Sequence, residues 1–256
     1  MNDDLKRLII RPGAIGDCIV SLPAMEFLRT NKTEVWVSSQ NVPLIRFADK
    51  VRGIASTGLD LVGLEGLEPP PVLSELSQFD SIVSWYGANQ PEFRAAVAYL
   101  PFEFHEALPR NGGQVHAVDF YLQQVGAPLG ATPKIPCKRE RRGFVAVHPF
   151  SGSPKKNWPL ENFLAVTRQL PYPVHYCEGP NSLHIENLYD LGCWLASARF
   201  YLGNDSGISH LAAAVGTPVY AFFGPTDPNV WAPRGERVRV LPITSTPDQI
   251  LDLLLC

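Results

Sequence analysis

Three short stretches hold most of the residues able to handle an anionic substrate, and each lies between a strand-like run and a helical pattern. The first is Arg11-Pro12-Gly13-Ala14-Ile15-Gly16-Asp17. Its glycines let a ligand approach the backbone closely, and the helix start that follows favours an anion. Asp17 is of the type that caps such a helix. The second runs from His148 to Pro159. Ser151 and Ser153 offer hydroxyls, Gly152 an unshielded amide, and Lys155 or Lys156 a cation just before a helix, a grouping suited to a phosphate or pyrophosphate. A polar loop with two solvated lysines is the alternative. The third runs from Gly203 to Val219, where a helix beginning Ser206-Gly207-Ile208 presents free backbone N–H groups and Ala212, Ala213 and Ala214 allow close packing behind them. Asp205 is placed to cap that helix or order its loop rather than to meet an anion. His210, about one turn in, reaches a ligand or packs into the core.

The surrounding pattern supplies the elements that must hold these loops. Strands are expected at 6–11, 34–38, 80–85, 143–149, 173–177, 199–203, 218–224 and 237–242. Helices are expected after residue 15, near 91–99, over 115–125, over 158–170, around 184–196, from Ser206 towards Gly216, and from Thr246 onwards. Residues 53–76 are poorly patterned and read as loop and short elements. Strand–helix alternation in two halves predicts an α/β chain with two doubly wound parallel sheets. The expected divisions are an N-terminal domain over 1–135, a C-terminal domain over 143–245 and a C-terminal helix over 246–256. Pro128, Gly130, Pro133, Pro136 and the charged run 138–142 form the connection. Ligands of such sheets bind at the carboxyl ends of strands, so the three loops should face one cleft.

Composition narrows the function classes. The 256 residues fit one large domain or two small ones, and 45% hydrophobic with 18% charged residues supports real cores. Lys plus Arg number 22 against 25 Asp plus Glu, a net charge of −3 that argues against a broad grip on nucleic acid. Five scattered cysteines without a C-x-x-C pair argue against a zinc site or disulfide framework. The start, MNDDLKRLII, lacks the positive charge of a signal peptide, and no apolar run approaches the ~20 residues of a membrane span. The cytoplasm is the expected location.

In their order along the chain, R-P-G-A-I-G-D-C-I-V-S-L-P-A, H-P-F-S-G-S-P-K-K-N-W-P and N-D-S-G-I-S-H-L-A-A-A-V-G-T-P-V-Y-A-F-F-G-P-T-D-P resemble glycosyltransferase family 9, the bacterial ADP-heptose:lipopolysaccharide heptosyltransferases. The resemblance is strongest over 143–233 and matches only in pattern over 41–110, where the acceptor side is shortened. It implies a GT-B fold of two Rossmann-like domains facing a cleft, with the donor held mainly by the C-terminal one. It also implies an inverting, metal-independent transfer with no cofactor beyond the nucleotide-sugar, and the absence of a D-x-D motif agrees. By the same resemblance Asp17 is the base on the acceptor hydroxyl, and Lys156, spaced from Trp158-Pro159 as in the family, is the cation at the leaving diphosphate. Ser151, Ser153, Ser206 and Gly207 supply hydrogen-bond donors there; Gly16, Gly152, Asp205 and His210 complete the donor loops. Glu178 takes the place of an acidic residue near the ribose. The Glu178/Glu186 spacing mimics a retaining signature but sits in the wrong place, and reads as chance.

The partners expected are a nucleotide-sugar donor and a glycan or lipid-linked glycan acceptor. A noncatalytic GT-B homologue that binds nucleotide or glycan is the alternative from another class; a transferase of a different sugar is the alternative within the same one. A hydride-transferring enzyme is disfavoured because no G-x-G-x-x-G occurs. Contact with the inner membrane would be peripheral, through Phe93, Val97, Leu100, Phe102 and Phe104 beside Arg94, or through the basic Lys138–Arg142 cluster. The favoured reading makes those aromatics ordinary core and that run a solvated linker.

Overall fold

The structure is a computed structural model that describes residues 5–64, 70–109, 114–138, 140 and 143–255. The first half pairs five strands, β1 (Lys6–Arg11), β2 (Lys32–Val37), β3 (Lys50–Gly53), β4 (Ser81–Ser84) and β5 (Phe102–Phe104), in the order β3-β2-β1-β4-β5. Its helices are α1 (Ile15–Phe27), α2 (Val72–Leu76), α3 (Pro91–Ala96) and α4 (Ala117–Gln124). The second half pairs β6 (Val145–His148), β7 (Val174–Tyr176), β8 (Phe200–Asn204), β9 (Val219–Phe223) and β10 (Val238–Pro242) in the order β10-β9-β8-β6-β7. Its helices are α5 (Leu160–Thr167), α6 (Leu188–Ala196), α7 (Gly207–Ala214), α8 (Pro228–Trp231) and α9 (Pro247–Leu255), the last packed on α5. Every strand pair is parallel. The two halves are therefore doubly wound α/β units, as the strand–helix alternation predicts.

The strands alternate as a two-sided sheet requires. On β1, Leu8 and Ile10 face an outer cluster with Trp36, Ile82 and Phe93, while Ile9 faces inward. On the second sheet Val145, Val147, Leu202 and Phe222 pack outward with Trp158 and Phe163, and Ala146, Tyr201 and Ala221 face inward. The inward residues of both sheets join one continuous cluster through α1, α4, α6 and α7. The two halves thus share an apolar layer in which α1 lies against α7.

Order reverses between β1 and β4 in the first sheet and between β6 and β8 in the second. The loops after β1, β6 and β8 leave from these switch points, where crevices open in doubly wound sheets.

Three elements differ from the sequence pattern. Strand β3 falls in a polar Lys50-Val51-Arg52 stretch, an edge strand whose exposure hides it from a hydrophobicity reading. Strand β5 is only three residues long, and α8 a single turn. The poorly patterned 53–76 stretch holds two 3₁₀ turns and α2 among its described residues. Phe93, Val97 and Leu100 are buried, and Phe93 meets Phe102 and Phe104 edge-on with centroids 5.9 and 6.2 Å away. Phe93 is core, and the half-buried Phe102 and Phe104 pack against it. Of the basic run, Arg139, Arg141 and Arg142 lie outside the described residues. Among the described residues no helix is long and apolar enough to cross a membrane.

Candidate active site

The β1–α1 loop is held from beneath. Arg11 is buried with its guanidinium against Ser21 Oγ at 3.2 Å, Tyr121 OH at 2.8 Å and the Pro12 carbonyl. Gly13 adopts φ 137°, a conformation open to glycine. Its N–H donates to Ser38 Oγ at 3.1 Å, and its carbonyl accepts from Ser38 Oγ and Asn41 Nδ2. Asp17 Oδ2 accepts the Ala14 N–H at 3.1 Å, so the carboxylate does cap the start of α1. It also lines the adjoining cavity.

The β6–α5 loop is fixed by Asn204 at the end of β8. This fully buried amide donates to the Pro149 carbonyl at 2.8 Å and accepts the Trp158 N–H at 2.9 Å, pinning both ends of the loop. Trp158 stacks on Phe222 at 4.1 Å and bonds the Ser245 carbonyl. Between these anchors a 3₁₀ turn, Pro154–Lys156, lifts Lys156 so that its Nζ meets Asp205 Oδ2 at 2.8 Å. Asp205 therefore does not cap α7. Ser206 does, accepting the Ser209 N–H, because its extended backbone sits at the cap position and Asp205 is one residue too early. Lys155, the other member of the doublet, is exposed and absent from the cavity lining.

The N-termini of α1 and α7 meet almost backbone to backbone. An added Cβ on Gly207 would stand 2.8 Å from the Ile15 Cβ and 3.1 Å from the Gly16 nitrogen, and one on Gly16 would touch the His210 ring at 3.4 Å. Beside this contact lies a cavity of about 320 Å³ lined by Asp17, Gly152, Lys156, Asp205 and His210, with Thr226 and Trp231 opposite. His210 is buried, and burial first, then the His116 and Lys156 charges, push its pKa down to about 4 against the opposing pull of Asp205. It is a neutral group at neutral pH, packed into the core with its ring at the cavity wall.

A second cavity of similar size shares Ala14, Gly16, Gly152, Ser206 and Gly207 with the first and adds Gln40, His148, Phe150, Ser151 and Glu178. Glu178 has φ 54° and accepts the Ile185 N–H and a His184 nitrogen, both at 2.8 Å. His148 Nδ1 lies 2.9 Å from the Cys177 carbonyl, so it carries the proton there and Nε2 is left as an acceptor. Burial lowers the His148 pKa and keeps it neutral. Ser151 Oγ bonds Asn157 Oδ1 at 2.7 Å and the Ser153 carbonyl; Ser153 itself lines neither cavity. Sequence reasoning assigned no role to His148, Phe150, Gln40, Thr226 or Trp231. His148, Phe150 and Thr226 stand within or beside the motifs, whereas Gln40 and Trp231 carry no local signal. Among the described residues no group of three or more His, Cys, Asp or Glu side chains is gathered as a metal site would need.

Residues 185–249 match the family model for glycosyltransferase family 9 (heptosyltransferase). The match places that stretch with family 9. Two solved structures from E. coli share the fold over almost the whole chain. ADP-heptose lps heptosyltransferase II is 17% identical with a TM-score of 0.75, covering 98% of this chain and 98% of its own. Heptosyltransferase WaaC, solved with ADP, is 15% identical with a TM-score of 0.70, covering 98% and 99%. The iron-containing dodecameric glycosyltransferase TibC from enterotoxigenic E. coli is 16% identical with a TM-score of 0.61, covering 92% of this chain and 63% of its own. Comparison by sequence with curated proteins gives no match. The chain shares the two-domain fold of these heptosyltransferase structures, and its three motif loops meet beside the two cavities.

Proposed function

We propose that this chain transfers a heptose from ADP-heptose to a lipopolysaccharide-core-like or other glycan acceptor, with inversion and without a metal. The observation that carries this is the convergence of Asp17, Lys156, Asp205 and His210 on one cavity where the N-termini of α1 and α7 meet. The neighbouring cavity suits the nucleoside: Glu178 matches the two ribose hydroxyls, and the His148 Nε2 acceptor matches the exocyclic amino group of adenine. The two E. coli heptosyltransferase structures bound or named for ADP and ADP-heptose are consistent with that donor.

In the proposed reaction Asp17 takes the proton of the acceptor hydroxyl as its oxygen attacks the anomeric carbon. ADP leaves from the opposite face, which inverts the anomeric configuration. Charge grows on the β-phosphate as the bond breaks. Lys156 and the N–H groups at the head of α7 meet that charge where it develops, which is the condition for lowering the barrier. Neutral His210 adds a hydrogen bond without adding a second cation. On this reading the metal's usual work at a diphosphate falls to Lys156 and the helix end.

The test is ADP release from ADP-heptose on a heptose-free lipopolysaccharide core, with excess chelator, and NMR of the product's anomeric centre. Turnover unaffected by chelator and an inverted anomer support the proposal. Retention of configuration, or activity only with added metal, overturns the mechanism; donor binding without turnover on any glycan favours the noncatalytic homologue.

A further inference from the structure

The chain just after α8 is tied to the first half at two points. Arg234, three residues beyond Trp231, forks onto Asp119 of α4, with Nη1 2.8 Å from Oδ1 and Nη2 2.7 Å from Oδ2. The same Asp119 Oδ1 accepts the Gly130 N–H at 2.8 Å, and Arg234 Nη1 donates to the Ala131 carbonyl at 3.3 Å. His116, just before α4, has its Nε2 3.0 Å from the Ala232 carbonyl; that oxygen can only accept, so the ring donates. Its Nδ1 accepts the Val118 N–H at 3.2 Å, which caps α4. The first half, the connection and the chain after α8 thus close on one carboxylate–guanidinium pair. Arg234 and Asp119 keep only 21% and 19% of their side-chain surface exposed, so water screens them less than a surface pair. The guanidinium holds the Asp119 carboxyl below the usual carboxylate range.

Asp119 and Arg234 line neither cavity, so this pair does no chemistry on a ligand. What it holds in place is Trp231. That residue lines the cavity of Asp17 and Lys156, and it also packs on the apolar layer the two halves share. An indole brings no charge to a diphosphate. To a sugar it offers a flat apolar face for the C–H bonds of the ring and an N–H for a hydroxyl. We propose that Trp231 is the wall on which the donor's sugar rests, and that Asp119 and Arg234 are positioning residues that hold it there. The proposal rests on the reading of this cavity as the place of the anomeric centre and its diphosphate. It makes α4 of the first half a contributor to sugar selection, while the nucleoside contacts at Glu178 and His148 stand apart from it.

The chain is labelled with 5-fluorotryptophan and followed by fluorine NMR, the Trp231 line being assigned through Trp231→Phe. Trp36 and Trp158, buried in the outer clusters of the two sheets, are the controls. Arg234→Gln, and the milder Asp119→Asn should the first fold poorly, are each expected to move the Trp231 line without ligand and to leave both controls. By calorimetry each should weaken ADP-heptose roughly tenfold and ADP by less than about twofold. Arg234→Gln should add nothing further in a Trp231→Ala background. Equal losses for ADP and ADP-heptose, or an Arg234→Gln effect that persists without Trp231, would overturn the proposal. An unmoved Trp231 line in a chain that binds ADP-heptose overturns it too and leaves the donor reading standing. A wild type that binds no ADP-heptose overturns the donor reading and the sugar wall with it, and the ligand-free fluorine spectrum then decides the clamp alone.

Discussion

Lys156 Nζ stands 2.8 Å from Asp205 Oδ2, tying the loop after β6 to the loop after β8 beside the cavity. Asp205 is buried while the Lys156 side chain keeps about a third of its surface exposed (34%), so the carboxylate is the fixed member and the ammonium the mobile one. The pair holds the cation at the edge of the cavity; in the proposed reaction it would swing onto the diphosphate, whose two charges outweigh the single carboxylate.

Lys156→Ala should therefore act twice. ADP affinity should fall ~10- to 100-fold with the loss of a charge-assisted contact, and unfolding free energy should drop by roughly 1–2 kcal/mol because Asp205 is left buried without its partner. Calorimetry and urea unfolding measure the two effects. Unchanged ADP affinity would move the cation's role elsewhere.

Asp17→Ala should lower turnover by about two to four orders of magnitude, the range for losing a general base. ADP affinity should stay within about twofold, and stability should fall by about 1 kcal/mol because the Ala14 N–H loses its capping acceptor. A parallel collapse of ADP affinity would make Asp17 a donor-site residue instead.

Gly207→Ala places a methyl 2.8 Å from the Ile15 Cβ and 3.1 Å from the Gly16 nitrogen, against backbone that has little room to move. The α1–α7 contact should open, with about 1–3 kcal/mol of destabilisation from overpacking and weaker ADP binding. Ala212→Gly, on the same helix but away from that contact, is the control and should leave ADP affinity unchanged.

Acid should destabilise the fold through its histidines. Burial lowers the pKa of His116 and His148, and that of His210 to about 4, while the unfolded chain titrates near 6.5. Each contribution is complete above pH 6.5 and is lost as pH falls from there towards the folded value, because the unfolded state binds protons first. His210 alone should account for about 3 kcal/mol across that window. Thermal midpoints between pH 7 and 4 should fall steeply in the wild type and less so in His210→Gln.

Much of this was legible in the sequence because the local signals were strong. Gly13, Ser206 and the Asn204-Asp205 pair mark loops at strand ends, and the buried runs of β1, β6 and β8 follow directly from their continuous apolar stretches. Of the two roles expected of Asp205, capping fails because it is a matter of one residue's register, while ordering a loop holds through an ion pair with Lys156 that joins positions 49 residues apart. His148 and Trp231 escaped for a related reason. A buried imidazole and a half-buried indole read as core until the opposing half of the chain shows that a cavity lies beside them. The polar edge strand β3 hid because it carries little apolar surface.

The most direct test of the central claim is calorimetric titration of the purified protein with ADP, UDP, GDP and ADP-heptose in the presence of chelator. Preference for ADP over UDP and GDP, with tighter binding of ADP-heptose, is the result expected of the Asp17–Lys156 cavity as a donor site. Binding of none of them, or equal affinity for all three diphosphates, would contradict it.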